Sequence, residues 1–153
     1  MTKRRWVVLV TYLLASLCAP TISICFTPCS ELVSQAYGVT LLAVSFCTLV
    51  FGLTSVPMFF ISMKLLTAYS LANVLRLGCF FLVFGAWLRS VSLIDNDQFW
   101  PIIAGTTIIS FSGPIFLSAQ NMICNRWFPD DERAMATALT GLAIPVGSVL
   151  AFV

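Results

Sequence analysis

Histidine is absent from this chain. That removes imidazole as a general base, as a ligand of zinc or haem iron, and as the middle member of a Ser-His-Asp triad. Charge is also scarce. Only 9% of the residues are Asp, Glu, Lys or Arg, against roughly a quarter in a soluble domain. Too few remain to cover the surface of a water-soluble fold. Clustered carboxylates are missing from the long apolar stretches, so an intramembrane hydrolase or metalloenzyme would have no reacting group. Neither an enzyme nor a cofactor is expected. A net charge of +2 gives no electrostatic footprint for nucleic acid.

What the chain has in quantity is apolar sequence. Hydrophobic residues make up 59% of its 153 positions, and mean hydropathy is +1.00. A bilayer span needs about 20 apolar residues. Four runs carry no acid or base: Trp6–Ser30, Leu32–Met63, Gln98–Asn125 and Ala134–Val153. A fifth, Leu65–Leu93, is interrupted only by Arg76 and Arg89. These runs predict an all-α, polytopic transmembrane bundle of about five helices, near 6–28, 39–62, 73–92, 100–124 and 133–153, with short loops. Met1–Arg5 followed by Trp6–Leu14 has the make-up of a signal peptide. The apolar stretch continues to Phe26 and further spans follow, so it reads as a first helix that stays attached.

Orientation follows from the basic residues. Lys3, Arg4 and Arg5 precede the first span, Lys64 and Arg76 bracket the turn after the second, and Arg126 and Arg133 bracket the turn after the fourth. An alternating path puts all of them on one side, which predicts a cytoplasmic N-terminus. Arg89 stands apart, with the reach to snorkel to the headgroups. Glu31, Asp95 and Asp97 fall on the opposite side. Val153 lies inside an apolar run, so the chain reads as cut short before a sixth helix.

Prolines and glycines recur within the spans. Pro20, Pro57, Gly113, Pro114 and Pro145 are candidate bending points, with Pro28, Gly52, Gly141 and Gly147 beside them. A mid-helix proline removes one backbone hydrogen bond. In lipid the freed carbonyl belongs beside protein or water, and transporters bend at such places. Ser16, Pro20, Ser23 and Thr27 fall on one face of the first span, and Thr106, Ser110, Gly113 and Gln120 on one face of the fourth. Two such faces are candidates for lining an aqueous path. The competing explanation is local bonding of each hydroxyl to a carbonyl one turn earlier. No Asp, Glu or Lys lies mid-span, which argues against a proton-coupling carboxylate in this segment. The six cysteines lack a Cys-x-x-Cys pair and read as small apolar residues, with no metal.

The segment Asn125–Leu139, NRWFPDDERAMATAL, is the most informative. Asp130, Asp131 and Glu132 stand where a helix dipole favours negative charge. A functional reading makes Lys64, Arg76, Asp131, Glu132 and Arg133 a cytoplasmic gate, with Asp131 or Glu132 paired to Arg76 or Lys64. In the last span, Ala143, Gly147 and Ala151, with Ala134 and Ala138 before them, form a small-residue stripe for close helix packing. A second function class follows from that stripe: a small membrane scaffold or partner subunit that docks through it.

Three local patterns resemble the major facilitator superfamily, in particular the transporters related to the feline leukaemia virus subgroup C receptor. Arg4-Arg5-Trp6-Val7-Val8-Leu9 resembles the start of that family's first helix. Gly78 and Gly85 with Leu88-Arg89 resemble its third. Trp127-Phe128-Pro129, Arg133-Ala134, Ala136-Thr137, Pro145 and Gly147 resemble its fourth-to-fifth helix junction. The resemblance implies a fold of two six-helix halves with the solute between them. This chain would hold the first five helices of the N-terminal half. Its partners would be the lipid bilayer, a small-molecule solute and the remaining transporter helices. Choline- or haem-like solutes are implied by the resemblance alone. The superfamily's loop G-x-x-x-D-R-x-G-R-[RK] is altered here. Thr67 stands where its Asp would be and Ser70 where its Gly would be. Members associated with choline or haem carry a tryptophan and a glutamine at the positions of Ser23 and Gly113. Without that ring a cation–π contact to choline is lost, so the substrate is not carried over.

The threading has a direct check. Glycosylation tags placed in the Lys64 turn and in the Arg126 turn should behave alike, both unmodified. Modification of one and not the other would break the alternating path.

Overall fold

The computed structural model describes residues 2–25, 27–91 and 99–152, with side chains from Arg5 onward. Its elements are helices: α1 Thr2–Ile24, α2 Ser30–Tyr37, α3 Leu41–Ala68, α4 Leu71–Val91, α5 Trp100–Ser110, α6 Ser112–Trp127 and α7 Asp130–Leu150. α5 and α6 meet end to end at Phe111 and together form one apolar span, Trp100–Trp127. Among the described residues, five segments are therefore long and apolar enough to cross a bilayer. Their outer faces suit lipid: on α3, Leu42 is 82% exposed and Leu53 71%. Asp95, Asp97 and Val153 lie outside the described residues.

Local chemistry sets several boundaries differently from the hydropathy pattern. The stretch after the first span is not a plain loop, because α2 forms in it. Gly38 closes that helix in the left-handed region (φ 61°), its N–H bonded to Ser34 O, a conformation glycine adopts without a Cβ penalty. Thr40 then caps α3, its hydroxyl accepting from the Ala43 N–H at 3.4 Å. α3 runs on past Lys64 to Ala68, which shrinks the following turn to Tyr69 and Ser70. α1 ends at Ile24, so Pro28 lies in the turn beyond it. Pro129 is the residue before α7. Its carbonyl accepts from Glu132 and Arg133.

The prolines act unequally. α1, α3 and α7 continue through Pro20, Pro57 and Pro145. The one interruption among the described residues is at Phe111, three residues ahead of Pro114. A proline ring clashes with the carbonyl four residues earlier and lacks the N–H to bond it; here that carbonyl belongs to Ser110. The Phe111 N–H turns instead to Ile108 O at 3.2 Å.

Pairwise contacts give the directions. Tyr12 on α1 meets Phe116 on α6, and Trp6 meets Phe128, so α1 and α6 are antiparallel. Ser62 meets Ser118 and Thr54 meets Ser110, so α3 runs parallel to α5–α6. Arg5 meets Glu132 and Leu17 meets Gly147, so α1 and α7 are parallel. α6 sits at the centre, with Ile115, Ala119, Ile123 and Cys124 wholly buried.

Two crossings are close enough to require glycine. A methyl group on Gly85 would sit 2.6 Å from Ile109 Cγ1 and 2.8 Å from Gly105 O; one on Gly105 would sit 2.7 Å from Gly85 O. This locks α4 against α5. At the other crossing, a methyl on Gly147 would lie 2.6 Å from Leu17 O, and Thr21 Oγ1 lies 2.8 Å from Gly147 O. The buried face of α7 is Ala136, Thr140, Ala143 and Gly147. That corrects the small-residue stripe. Ala134 and Ala138 are exposed, while Ala143 and Gly147 are buried, with Gly147 against α1. The stripe is thus not a free docking surface, and the scaffold reading loses the feature it rested on.

Overpacking of this kind costs about 1–3 kcal/mol. Gly105→Val should lower the thermal stability of the detergent-solubilised protein by at least that much, because backbone atoms of α4 cannot yield. Gly52→Ala, with nothing within 4 Å of the new carbon, should be neutral or slightly stabilising in the same melt.

Candidate functional site

Two grooves run along the interface of α3 and α6. The upper one, about 470 Å³, is walled by α1, α3 and α6 with Ile144 of α7. Ser16, Pro20 and Ser23 supply its α1 side, Phe51, Ser55, Phe59 and Phe60 its α3 side, and Gly113, Pro114, Phe116 and Leu117 its α6 side. Part of each polar stripe therefore meets in one place. The lining is aromatic and apolar with three hydroxyls, and none of its residues is an acid or a base. Gly113 keeps the α6 wall low: a methyl there would meet Phe51 Cζ at 3.8 Å, ordinary contact distance.

The hydroxyls of the groove are held by their own helices. Ser16 donates to Leu13 O at 3.0 Å and Ser23 to Ala19 O at 2.6 Å. They present oxygen lone pairs more readily than free protons. The rest of the stripes is placed elsewhere. Thr27 is exposed and lies 3.5 Å from Thr48. Ser110 is fully buried, 2.9 Å from Thr54 Oγ1 and 2.6 Å from Thr107 O. Gln120 donates to Thr137 O on α7 at 3.2 Å and borders the lower groove. Thr106 is buried against Arg89.

Arg89 does not snorkel. It is 8% exposed, and its Nε and Nη2 donate to Thr106 Oγ1 at 3.2 and 2.8 Å. Its Nη1 donates to Ile22 O and approaches Cys25 Sγ at 3.7 Å. The last carbonyls of a helix have no partner within the helix. Arg89 supplies one to α1 and ties that end to α4 and α5.

At the opposite end a cluster joins α1 to the α6–α7 junction. Arg5 Nη2 lies 3.0 Å from Glu132 Oε2 and 3.1 Å from Oε1. Its guanidinium carbon is 5.7 Å from the centre of the Phe128 ring. Trp6 meets the same ring edge-on at 5.6 Å. Arg133 pairs with Asp130 one turn away, at 2.7 Å. Of the residues expected to pair there, Glu132 lies against Arg5, and neither Lys64 nor Arg76 forms an ion pair among the described residues. Asp131 is exposed, and Arg76 bonds Asn73 Oδ1 at 3.3 Å. Thr67 donates to Lys64 O at 2.8 Å.

Other contributors gave no pattern to read. Tyr12 donates to Phe116 O at 2.6 Å. Ser62 Oγ lies 2.8 Å from Ser118 Oγ and 3.3 Å from Pro114 O. Neither belongs to a polar stripe on its own helix, and only the neighbouring helix reveals its role.

The profile of the Major Facilitator Superfamily matches residues 4–153. The chain belongs to this superfamily. It is a multi-pass integral membrane protein. Over 152 residues it is 30% identical to an uncharacterised MFS-type transporter of Caenorhabditis elegans, covering 97% of this chain and 26% of that protein. It is 29% identical to solute carrier family 49 member A3 of Danio rerio, covering 97% and 32%. It is 28% identical to the choline/ethanolamine transporter FLVCR1 of Felis catus, covering 99% and 27%. The chain spans about a quarter to a third of the length of these relatives. The two motifs that resembled the family at the first span and at the WFP junction are the ones that meet in the Arg5–Phe128–Glu132 cluster.

Half-exposed ion pairs are worth roughly 0.2–1 kcal/mol, and the Arg5 and Glu132 side chains are 18% and 41% exposed. A double-mutant cycle of Arg5→Ala and Glu132→Ala should give a coupling of that size in thermal melts. A coupling of zero would mean that the Phe128 ring alone holds Arg5.

Proposed function

We propose that this chain forms one wall of the solute path of an alternating-access membrane transporter, with its N-terminus in the cytoplasm. The single observation carrying the reading is the upper groove. Residues from α1, α3 and α6 converge on a cavity large enough for a small organic solute. Beside it stands the only interruption of a span among the described residues, at Phe111–Pro114. Broken spans belong where they line a cavity, and a path between rocking bundles places its binding site near mid-membrane. Ser16, Ser23 and Gly113 are the path residues this reading keeps from the sequence; Pro20 and Pro114 are its bending points.

The solute class follows from the lining. Four phenylalanines with hydroxyl oxygens between them suit an amphipathic organic solute. Ring faces attract cations, which is compatible with the choline and ethanolamine named for the relatives. Such a contact would use Phe51, Phe59 or Phe60, since position 23 carries no ring. The Arg5–Phe128–Glu132 cluster would hold α1 and α7 together at the cytoplasmic end while the bundle moves, in place of the Lys64 and Arg76 pairing.

Uptake by cells expressing the complete reading frame tests the proposal. Choline, ethanolamine and a panel of other small amphipathic solutes should be offered in radiolabelled form. Gly113→Leu fills the groove and should cut uptake more than tenfold at unchanged surface abundance, whereas Gly113→Ala should retain most of it. Full uptake by both Gly113→Leu and Ser23→Leu would remove the groove from the path.

A further inference from the structure

Arg89 lines neither groove, yet it lies buried inside a span. Ionisable residues in such places are expensive and mark functional positions by default. Its route inward is prepared. Gly105 makes room for the stem, since a methyl there would lie 2.7 Å from Arg89 Cγ. The next residue, Thr106, is also buried. Its hydroxyl oxygen accepts from Arg89 Nε and Nη2, and its own proton goes to Ile102 O at 2.6 Å. That pairing fixes the plane of the guanidinium and leaves Nη1 directed at Ile22 O on α1. A planar fork serves both edges at once, which the compact ammonium of a lysine cannot do.

What Nη1 holds is a poorly self-supported part of α1. Pro20 lacks the N–H that would bond Ser16 O, so the last turn, Thr21–Ile24, is joined to its helix by one bond fewer. The carbonyls of that turn also have no partner within the helix. Neighbouring helices hold it from two sides. Thr21 Oγ1 lies 2.8 Å from Gly147 O on α7, and Arg89 bonds Ile22 O from α4. Ile22 O belongs to the same rigid peptide plane as the Ser23 nitrogen. Fixing that plane fixes the direction in which Ser23 leaves the backbone. Ser23 and Pro20 together wall the upper groove on its α1 side.

We propose that Arg89 is a positioning residue of the upper groove: by tying the Ile22–Ser23 peptide to α4 and α5 it sets where Ser23 stands in the wall, without touching solute. The groove's role as a solute path rests on the function proposed above. The hold of Arg89 on α1 does not, and it is measured without any solute.

The complete reading frame is used for two measurements: amide hydrogen exchange of the detergent-purified protein, read by mass spectrometry, and cellular uptake of radiolabelled choline and ethanolamine. Arg89→Gln should speed exchange of the Thr21–Ile24 amides by roughly tenfold or more and leave that of Leu9–Ala15 unchanged, because the opening is local. In uptake it should raise KM by roughly threefold or more while the maximal rate per surface copy stays within about twofold, a split that a mere loss of folded protein does not produce. Ser23→Ala should raise KM by itself. The double variant should be no worse than the worse single one, because both changes act at one place. Thr106→Val keeps the guanidinium but removes its anchor, and it repeats both measurements should Arg89→Gln fail to fold. Unchanged exchange at Thr21–Ile24, or a rise spread evenly along α1, overturns the proposal. So do KM effects of Arg89→Gln and Ser23→Ala that multiply. Absence of uptake by the unaltered protein would count against the solute path alone, and exchange then decides the hold of Arg89 on α1 by itself.

Discussion

A hydroxyl surrounded by hydrocarbon has few places to send its proton, and in this bundle that constraint organises nearly everything polar. Thr11, Ser16, Ser23, Thr107, Ser112 and Thr137 each bond a carbonyl on the turn before them. Once a hydroxyl is satisfied in this way, its helix can be apolar all round and still cross the membrane. A smaller set has a second acceptor on another helix: Ser62 with Ser118, Thr54 with Ser110, Thr21 with Gly147 O. Those few hold the helices in register where apolar contacts alone, in a solvent as apolar as themselves, have no preference.

Fold class was readable because lipid imposes a coarse rule: about 20 apolar residues per crossing, with charges at the ends. Five segments follow directly. The finer divisions came from cues that hydropathy averages away. Gly38 and Thr40 carve α2 from what reads as a loop, and Pro114 acts at Ser110 and Phe111 rather than at its own position. Arg89 is the instructive failure. Its place near a helix end suggests snorkelling, yet three acceptors, on α1, just beyond it and on α5, draw it inward. Two of these, Ile22 O and Thr106, are 67 and 17 residues away, beyond the reach of any periodicity.

The polar stripes were legible as stripes but not as a site. Helical spacing puts Thr106, Ser110, Gly113 and Gln120 on one face of an ideal helix. The break at Phe111 divides that face between α5 and α6. Gly113 faces the upper groove and Gln120 turns to α7, while Ser110 and Thr106 are consumed by Thr54 and Arg89. The aromatic wall of Phe51, Phe59 and Phe60 is illegible in sequence for the opposite reason: phenylalanine in an apolar span carries no signal until another helix leaves space before it.

The glycine crossings have a mechanical consequence. Where Gly85 meets Gly105 and where Gly147 meets Leu17, backbones interlock at a separation that no side chain could occupy, so neither pair can slide or roll without breaking contacts on both sides. Between those two stiff pairs, α3 meets α6 through Ser62, bonded to Ser118 and Pro114 O, through Met58 and Leu66, and across the two open grooves. Both cavities therefore lie along a seam that neither glycine crossing locks.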